Sequence, residues 1–163
     1  MIRVLSENEY INIVKHDLKT LRKNLKRMNG WKIEISVLEE KINAYKNGGL
    51  GLGIQTNSTI TIDDIVDRDE TVLNELKSKV DHTNYKLKEY KACLEYLSDN
   101  EYEVINRRYL IAEYKNNSYE NIAKDMKFSK SHIGRLHDSA IKKIVDYKYI
   151  SVGIINMGQI GDK

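Results

Sequence analysis

"KFSKSHIGRL", Lys127–Leu136, decides how the C-terminal half of this chain is read. Ser129 is a helix N-cap, and the residues after it place Ile133, Leu136, Ala140 and Ile144 on one side of a helix. Just upstream, Ser118 is placed to cap a shorter helix carrying Tyr119, Ile122, Ala123 and Met126. The two helices are joined by a tight turn. Ala123 is small enough for the second helix to cross close by, and Phe128, Ile133 and Leu136 are the apolar residues expected to lock that crossing. Two residues break the usual pattern. Lys127 occupies a turn that often holds glycine, and Gly134 sits in the helix interior, at a cost of about 1 kcal/mol relative to alanine.

Working outward, Ser98-Asp99-Asn100-Glu101 has the Ser-x-x-Glu form of a capping box. The helix it starts carries Val104, Ile105 and Tyr109 inward and is expected to end before Asn116-Asn117. Residues 98–148 therefore read as a compact helix-turn-helix module of three or four helices. At 100° per residue, Ser131, Arg135, Asp138 and Lys142 point away from the apolar stripe of the last helix, as a helix entering a DNA major groove requires. Lys130 and His132 flank its first turn, where base edges are usually met. Arg135 suits a bidentate pair with guanine, and Ser131 suits several bases. Lys124, Lys127, Lys142 and Lys143 are expected at phosphates, which position the protein without specifying sequence.

The N-terminal half has a different rhythm. Ile11, Val14, Leu18, Leu21, Leu25 and Met28 alternate spacings of three and four, and the pattern resumes one residue out of phase at Trp31, Ile35, Leu38, Ile42 and Tyr45. Either a kinked helix or two helices end to end fits this. Asn47-Gly48-Gly49 stops it, and residues 47–69 read as a flexible loop. A second stripe follows at Leu73, Leu76, Val80, Thr83, Leu87, Tyr90, Leu94 and Leu97. Residues 1–97 thus form a long helical hairpin or a coiled coil, pairing within one chain or between chains, and serve oligomerisation or partner binding. Residues 149–163 are left as a tail: a strand-like arm, a docking segment or disordered. The fold class is all-α.

Composition narrows the functional classes. The chain has 163 residues, no proline, 31% charged residues and a net charge of +3. That charge is divided as +4 over residues 1–50, −4 over 51–100 and +3 over 101–163, two basic blocks around an acidic middle. Lys15, Lys19, Arg22, Lys23, Lys26 and Arg27 make the first block either a solvated helix side or a second phosphate-contacting face. Cys93 alone forms no internal disulfide and suits a reducing cytosol. No secretory h-region is visible near Arg3, and no apolar run approaches the roughly 20 residues of a membrane helix.

Enzymatic, metal and cofactor chemistry find no foothold. His16, His82, His132 and His137 have no ligand spacing with Cys93 or each other. "GGLGLGIQ", Gly48–Gln55, lacks the Gly-Lys-Ser/Thr ending of a phosphate loop and reads as a hairpin loop. The eleven tyrosines read mainly as core and interface aromatics.

"LSDNEYEVINRRYL…SYENIAKDMKFSKSHIGRLHDSAIKKI", within residues 97–144, resembles region 4 of sigma-70-type factors. The shared pattern is a Leu-Ser-x-x-Glu start, an Ile-x-x-Arg-Tyr helix, a Ser-Tyr-x-x-Ile-Ala helix and a Ser-x-x-x-Ile-x-Arg-Leu-x-x-x-Ala-Ile helix. The resemblance implies a module that reads promoter DNA, with Lys130, Ser131, Gly134 and Arg135 where that family makes groove contacts. Gly134 departs from it, having no side chain to offer. Residues 1–97 lack the aromatic-rich second module expected of a complete sigma factor. A long helical half before such a module is similar in layout to phage late-gene activators of the ArpU/RinA type, and the Lys/Ile/Asn-rich composition suits a low-GC Gram-positive host or its phage. The expectation is a homo-oligomeric regulator in the bacterial cytosol that binds double-stranded DNA and contacts RNA polymerase. A small alternative sigma factor binding core polymerase, or a phage DNA-packaging or assembly adaptor, are the rival readings.

Overall fold

The three-and-four spacing of the N-terminal half carries through a single helix. A computed structural model describes residues 5–48 and 60–150, and in it α1 runs unbroken over Glu7–Lys46. No helix junction occurs at Asn29-Gly30. The phase slip has another cause. It marks where the apolar stripe changes face, and it lies beside the division of the fold into two compact units, one of Arg27–Tyr85 and one of residues up to Lys26 and from Lys86 onward. Each part of the helix buries its own stripe, so the backbone has no reason to break.

The loop expected over residues 47–69 is shorter at its C-terminal end, because α2 spans Ile62–Leu94. Its acidic residues belong to a helix start. The Thr61 backbone N–H donates to Asp64 at 2.8 Å and the Asp64 N–H returns a bond to the Thr61 hydroxyl at 3.2 Å. Asp63 and Asp64 also place negative charge at the positive end of the helix dipole. Of "GGLGLGIQ", Gly48 is a turn residue with φ of +73°, while residues 49–55 lie outside the described residues.

Within the Arg27–Tyr85 unit the two helical segments run antiparallel. Ile42, Val66 and Leu73 form its core, edged by Ile35, Leu38 and Tyr45. Ion pairs Lys41–Asp69 and Lys77–Glu39, each 2.7 Å, flank this core. The stripes therefore pair inside the chain here, while Ile33 and Val37, one turn apart, remain exposed.

The other unit joins residues 5–26 to residues 86–150. Val14, Leu18, Leu21 and Leu25 of α1 are buried, as are Tyr90, Cys93 and Leu94 of α2. The Tyr90 hydroxyl donates to Asp17 at 3.1 Å. Burial pushes the Cys93 thiol up to about 11, so it is a packing residue and not a nucleophile. Three further helices follow: α3 (Asp99–Ile105), α4 (Tyr119–Met126) and α5 (Lys130–Val145). Single π turns extend α3 over Asn106–Leu110 and α5 over Asp146–Ile150. The second places Tyr149 against Tyr10, ring centroids 4.5 Å apart, and Lys148 on Glu89 at 3.0 Å. These contacts take the start of the supposed tail into the fold, and they put residues before Lys26 in the same unit as residues 98–148. Residues 151–163 lie outside the described residues.

Among the described residues there is no strand, and no helix is long and apolar enough to cross a membrane. Gly30 has no steric role, since a Cβ placed there meets nothing within 4 Å. Gly30→Ala should therefore raise stability by about 0.5–1 kcal/mol, seen as a higher urea midpoint at unchanged slope.

Candidate nucleic-acid interface

Three serines set the start of each short helix as their spacing predicts. Ser98 caps α3 in a complete capping box with Glu101, Ser118 accepts from the Asn121 N–H, and Ser129 accepts from the His132 N–H. Between α4 and α5, Lys127 adopts the left-handed conformation, φ +58° and ψ +40°. The N–H groups of Lys127 and Phe128 close back on the carbonyls of Lys124 and Ala123, at 3.3 and 2.9 Å. This is the glycine-type helix ending of a tight turn, made by a lysine despite its Cβ.

The crossing of α4 and α5 buries Ile122, Ala123 and Ile133 with Val104, and Leu136, Met126, Tyr114 and Tyr119 pack around them. Ala123 is buried at this crossing. Phe128 does not lock the crossing: it is exposed and meets His132 edge-on at 4.8 Å. The left-handed turn carries residue 128 outward once its N–H has closed on α4.

Glu101 ties this pair of helices to α3. Its carboxylate is 4% exposed, accepts from the Ser98 N–H, and reaches α5 at the Ser139 hydroxyl and at Lys143, 2.7 Å away. Burial alone would raise its pKa, but the bonds from Lys143, Ser139 and Ser98 win and hold it at about 2. On the inner side of α5, His137 is buried between Tyr109 and Tyr119. Its Nδ1 lies 3.3 Å from the Asp138 carboxylate and its Nε2 2.9 Å from the Tyr109 hydroxyl. A carboxylate accepts only, so Nδ1 carries the proton and Nε2 accepts from Tyr109. Burial, which outweighs the pull of Asp138, pushes the imidazole down to about 4 and keeps it neutral. The Arg108 guanidinium lies over the Tyr119 ring at 4.2 Å, and the Arg108 carbonyl accepts from the Asn117 amide at 2.8 Å.

These supports leave one face of α5 open. Ser131, Arg135 and Lys142 are exposed, and Arg135 has no ion-pair or hydrogen-bond partner among the described residues. Lys130 is exposed but lies 3.2 Å from Glu120. His132 is half-buried against Phe128. Lys124 and Lys127 are exposed beside the turn. Lys143 differs from the other candidates, since its ammonium is held by Glu101. Gly134 has open space around it: a Cβ would meet nothing within 4 Å.

Two partners of this face come from α1. Lys15 lies 3.6 Å from Asp138 and offsets a negative charge that would repel phosphate. Arg22 is 7% exposed and donates to the carbonyls of Ile111 and Tyr114, in the segment leading to α4. Arg22 is thus neither on a solvated side nor available to phosphate. Its neighbours Lys19, Lys23 and Lys26 look alike in sequence, and only the docking of α1 distinguishes them. The roles of Arg108 and His137 leave no mark in the sequence: the resemblance places Arg108 in Ile-x-x-Arg-Tyr without a role, and a lone histidine carries no signal of burial. Among the described residues no group of His, Cys, Asp and Glu is arranged to hold a metal.

Residues 93–145, about a third of the chain, match the family model described as Sigma-70, region 4. No curated protein and no solved structure matches the chain. The capped helices, the left-handed turn and the match together make this segment a sigma-70 region 4-like helix-turn-helix.

Two outcomes follow from the site. His137 is neutral in the fold at about 4 and has an ordinary value of 6.5, so the unfolded chain binds more protons between these values. Stability should fall as pH drops through that window, by on the order of 3 kcal/mol, and His137→Gln should flatten this part of a urea-midpoint-versus-pH curve. Glu101, with its lowered pKa, extends the acid loss below 4.5. Gly134→Ala should stabilise the fold by about 0.5–1 kcal/mol, measured by the same unfolding, while altering DNA affinity if the open face is a binding face.

Proposed function

We propose that the protein is a sequence-specific, DNA-binding transcriptional regulator, acting at a promoter as a late-gene activator of a phage or prophage. The reading is carried by the open face of α5, where Arg135 stands exposed and unpaired beside Ser131 in a segment of the region 4 type. A guanidinium left without a carboxylate on a helix whose other sides are fixed has its bidentate donors available to guanine.

In this mechanism α5 enters the major groove by its first turns. Lys130, Ser131, His132 and Arg135 meet base edges, and Lys124, Lys127 and Lys142 meet phosphates. Lys143 holds the helix through Glu101. Gly134 removes one side chain from the reading surface, so the direct contact set is short and DNA shape or paired half-sites supply the remaining specificity. Paired half-sites require a homo-oligomer, which the exposed Ile33 and Val37 support as an apolar contact. RNA polymerase is the further partner that an activator at a promoter engages.

Selection of bound duplexes from a random or genomic library, at recorded salt, tests the reading; failure to enrich any sequence would sink it. With the enriched site in hand, Arg135→Ala should lose about 1–3 kcal/mol of discrimination at one base pair. Lys142→Ala should weaken all sequences alike and lower the salt slope by about 1.

A further inference from the structure

Helix α1 borders the open face of the helix-turn-helix. Lys15 reaches Asp138, one turn beyond Arg135 on α5, at 3.6 Å. Two turns further along α1, Arg22 donates to the carbonyls of Ile111 and Tyr114, just before α4. One edge of α1 therefore runs from the recognition helix to the segment that enters the first helix of the pair.

That edge is cationic. At 100° per residue, Lys26 and Lys19 lie only about 20° and 40° round the helix from Lys15. Both are exposed, and neither has an ion-pair or hydrogen-bond partner among the described residues. The buried residues Val14, Leu18, Leu21 and Leu25 hold the adjacent side of the helix, about 60–120° round from Lys15. Between Tyr10 and Met28 the one acidic residue is Asp17, which is turned to Tyr90 and Lys86 on α2. Among the described residues no carboxylate pairs with Lys19 or Lys26. Two unpaired ammonium groups on a rigid helix, next to a groove-reading helix, complement a polyanion lying across both.

We propose that the Lys15–Lys26 edge of α1, through Lys19 and Lys26, is a second phosphate-contacting surface that grips duplex DNA next to the base pairs read by α5. The inference rests on the DNA-binding reading and extends it to a helix outside the segment that matches region 4. Lys15 joins the two surfaces by neutralising Asp138 where they meet.

The test compares wild-type protein with Lys19→Ala/Lys26→Ala on the enriched duplex over a range of salt. Alanine favours the helix and both positions are exposed, so the double variant should fold. Its slope of log affinity against log salt should be shallower by nearly 2, about 0.9 per lost phosphate contact, with the ranking of sequences unchanged. Phosphate-ethylation interference should lose positions flanking those read by α5. Lys91→Ala, an exposed lysine of α2, should keep the wild-type slope. If wild type binds while the double variant keeps both slope and interference pattern, this inference fails and the DNA-binding reading stands. If wild type binds no duplex at any salt, both fail.

Discussion

The carboxylate of Glu101 is the constraint on which the geometry of the binding module depends. It is buried, and it is satisfied from two helices at once: the Ser98 N–H at the start of α3, and Ser139 and Lys143 on α5. A buried charge with fewer donors would cost several kcal/mol, so the three attachments must form together. Once they do, the rotation of α5 about its own axis is set. Ile133, His137, Ala140 and Ile144 face inward, and Ser131, Arg135 and Lys142 are left in solvent. Lys143 shows what this requires, because a lysine that reads as a phosphate contact is held as a structural counter-ion.

Arg22 acts in a similar way at the other side of the module. Its guanidinium donates to the Ile111 and Tyr114 carbonyls, where the π turn ends and the chain enters α4, and the Ile111 carbonyl also accepts from the Tyr114 N–H at 3.3 Å. Such groups need partners once α1 covers them. This attachment makes the first part of α1 a wall of the helix-turn-helix module and not a spacer, and it carries the lysines of that helix to the edge of the open face of α5. The π turns serve the same joining: that at Asp146–Ile150 brings Tyr149 to Tyr10 and Lys148 to Glu89.

Two residues are used against their local preference. Lys127 takes a left-handed conformation that costs a residue with a Cβ about 1–2 kcal/mol relative to glycine, and Gly134 weakens a helix interior with space for a side chain around it. Both sit beside the open face, and neither departure is explained by packing. Stability is lower for both.

Much of the fold was legible in the residues themselves. Ser98, Ser118 and Ser129 with their partners three positions on, the apolar spacings of both long helices, and Ala123 at the crossing are local signals. Each depends on bonds or periods within a few residues, so a linear sequence carries them fully. The same locality misled at Thr61–Asp69, where acidic helix-start residues resemble a loop, and at Met28–Trp31, where a stripe changing face resembles a break. What only the tertiary structure decided is which like residues do unlike things. Arg22 is buried while Lys19, Lys23 and Lys26 stay in solvent, Lys143 is bound while Lys142 is not, and His137 is fully buried and kept neutral while His132 is only half-buried. These differences arise from contacts between residues as far apart as Arg22 and Tyr114, and no spacing within one helix encodes the burial that its partner helix imposes.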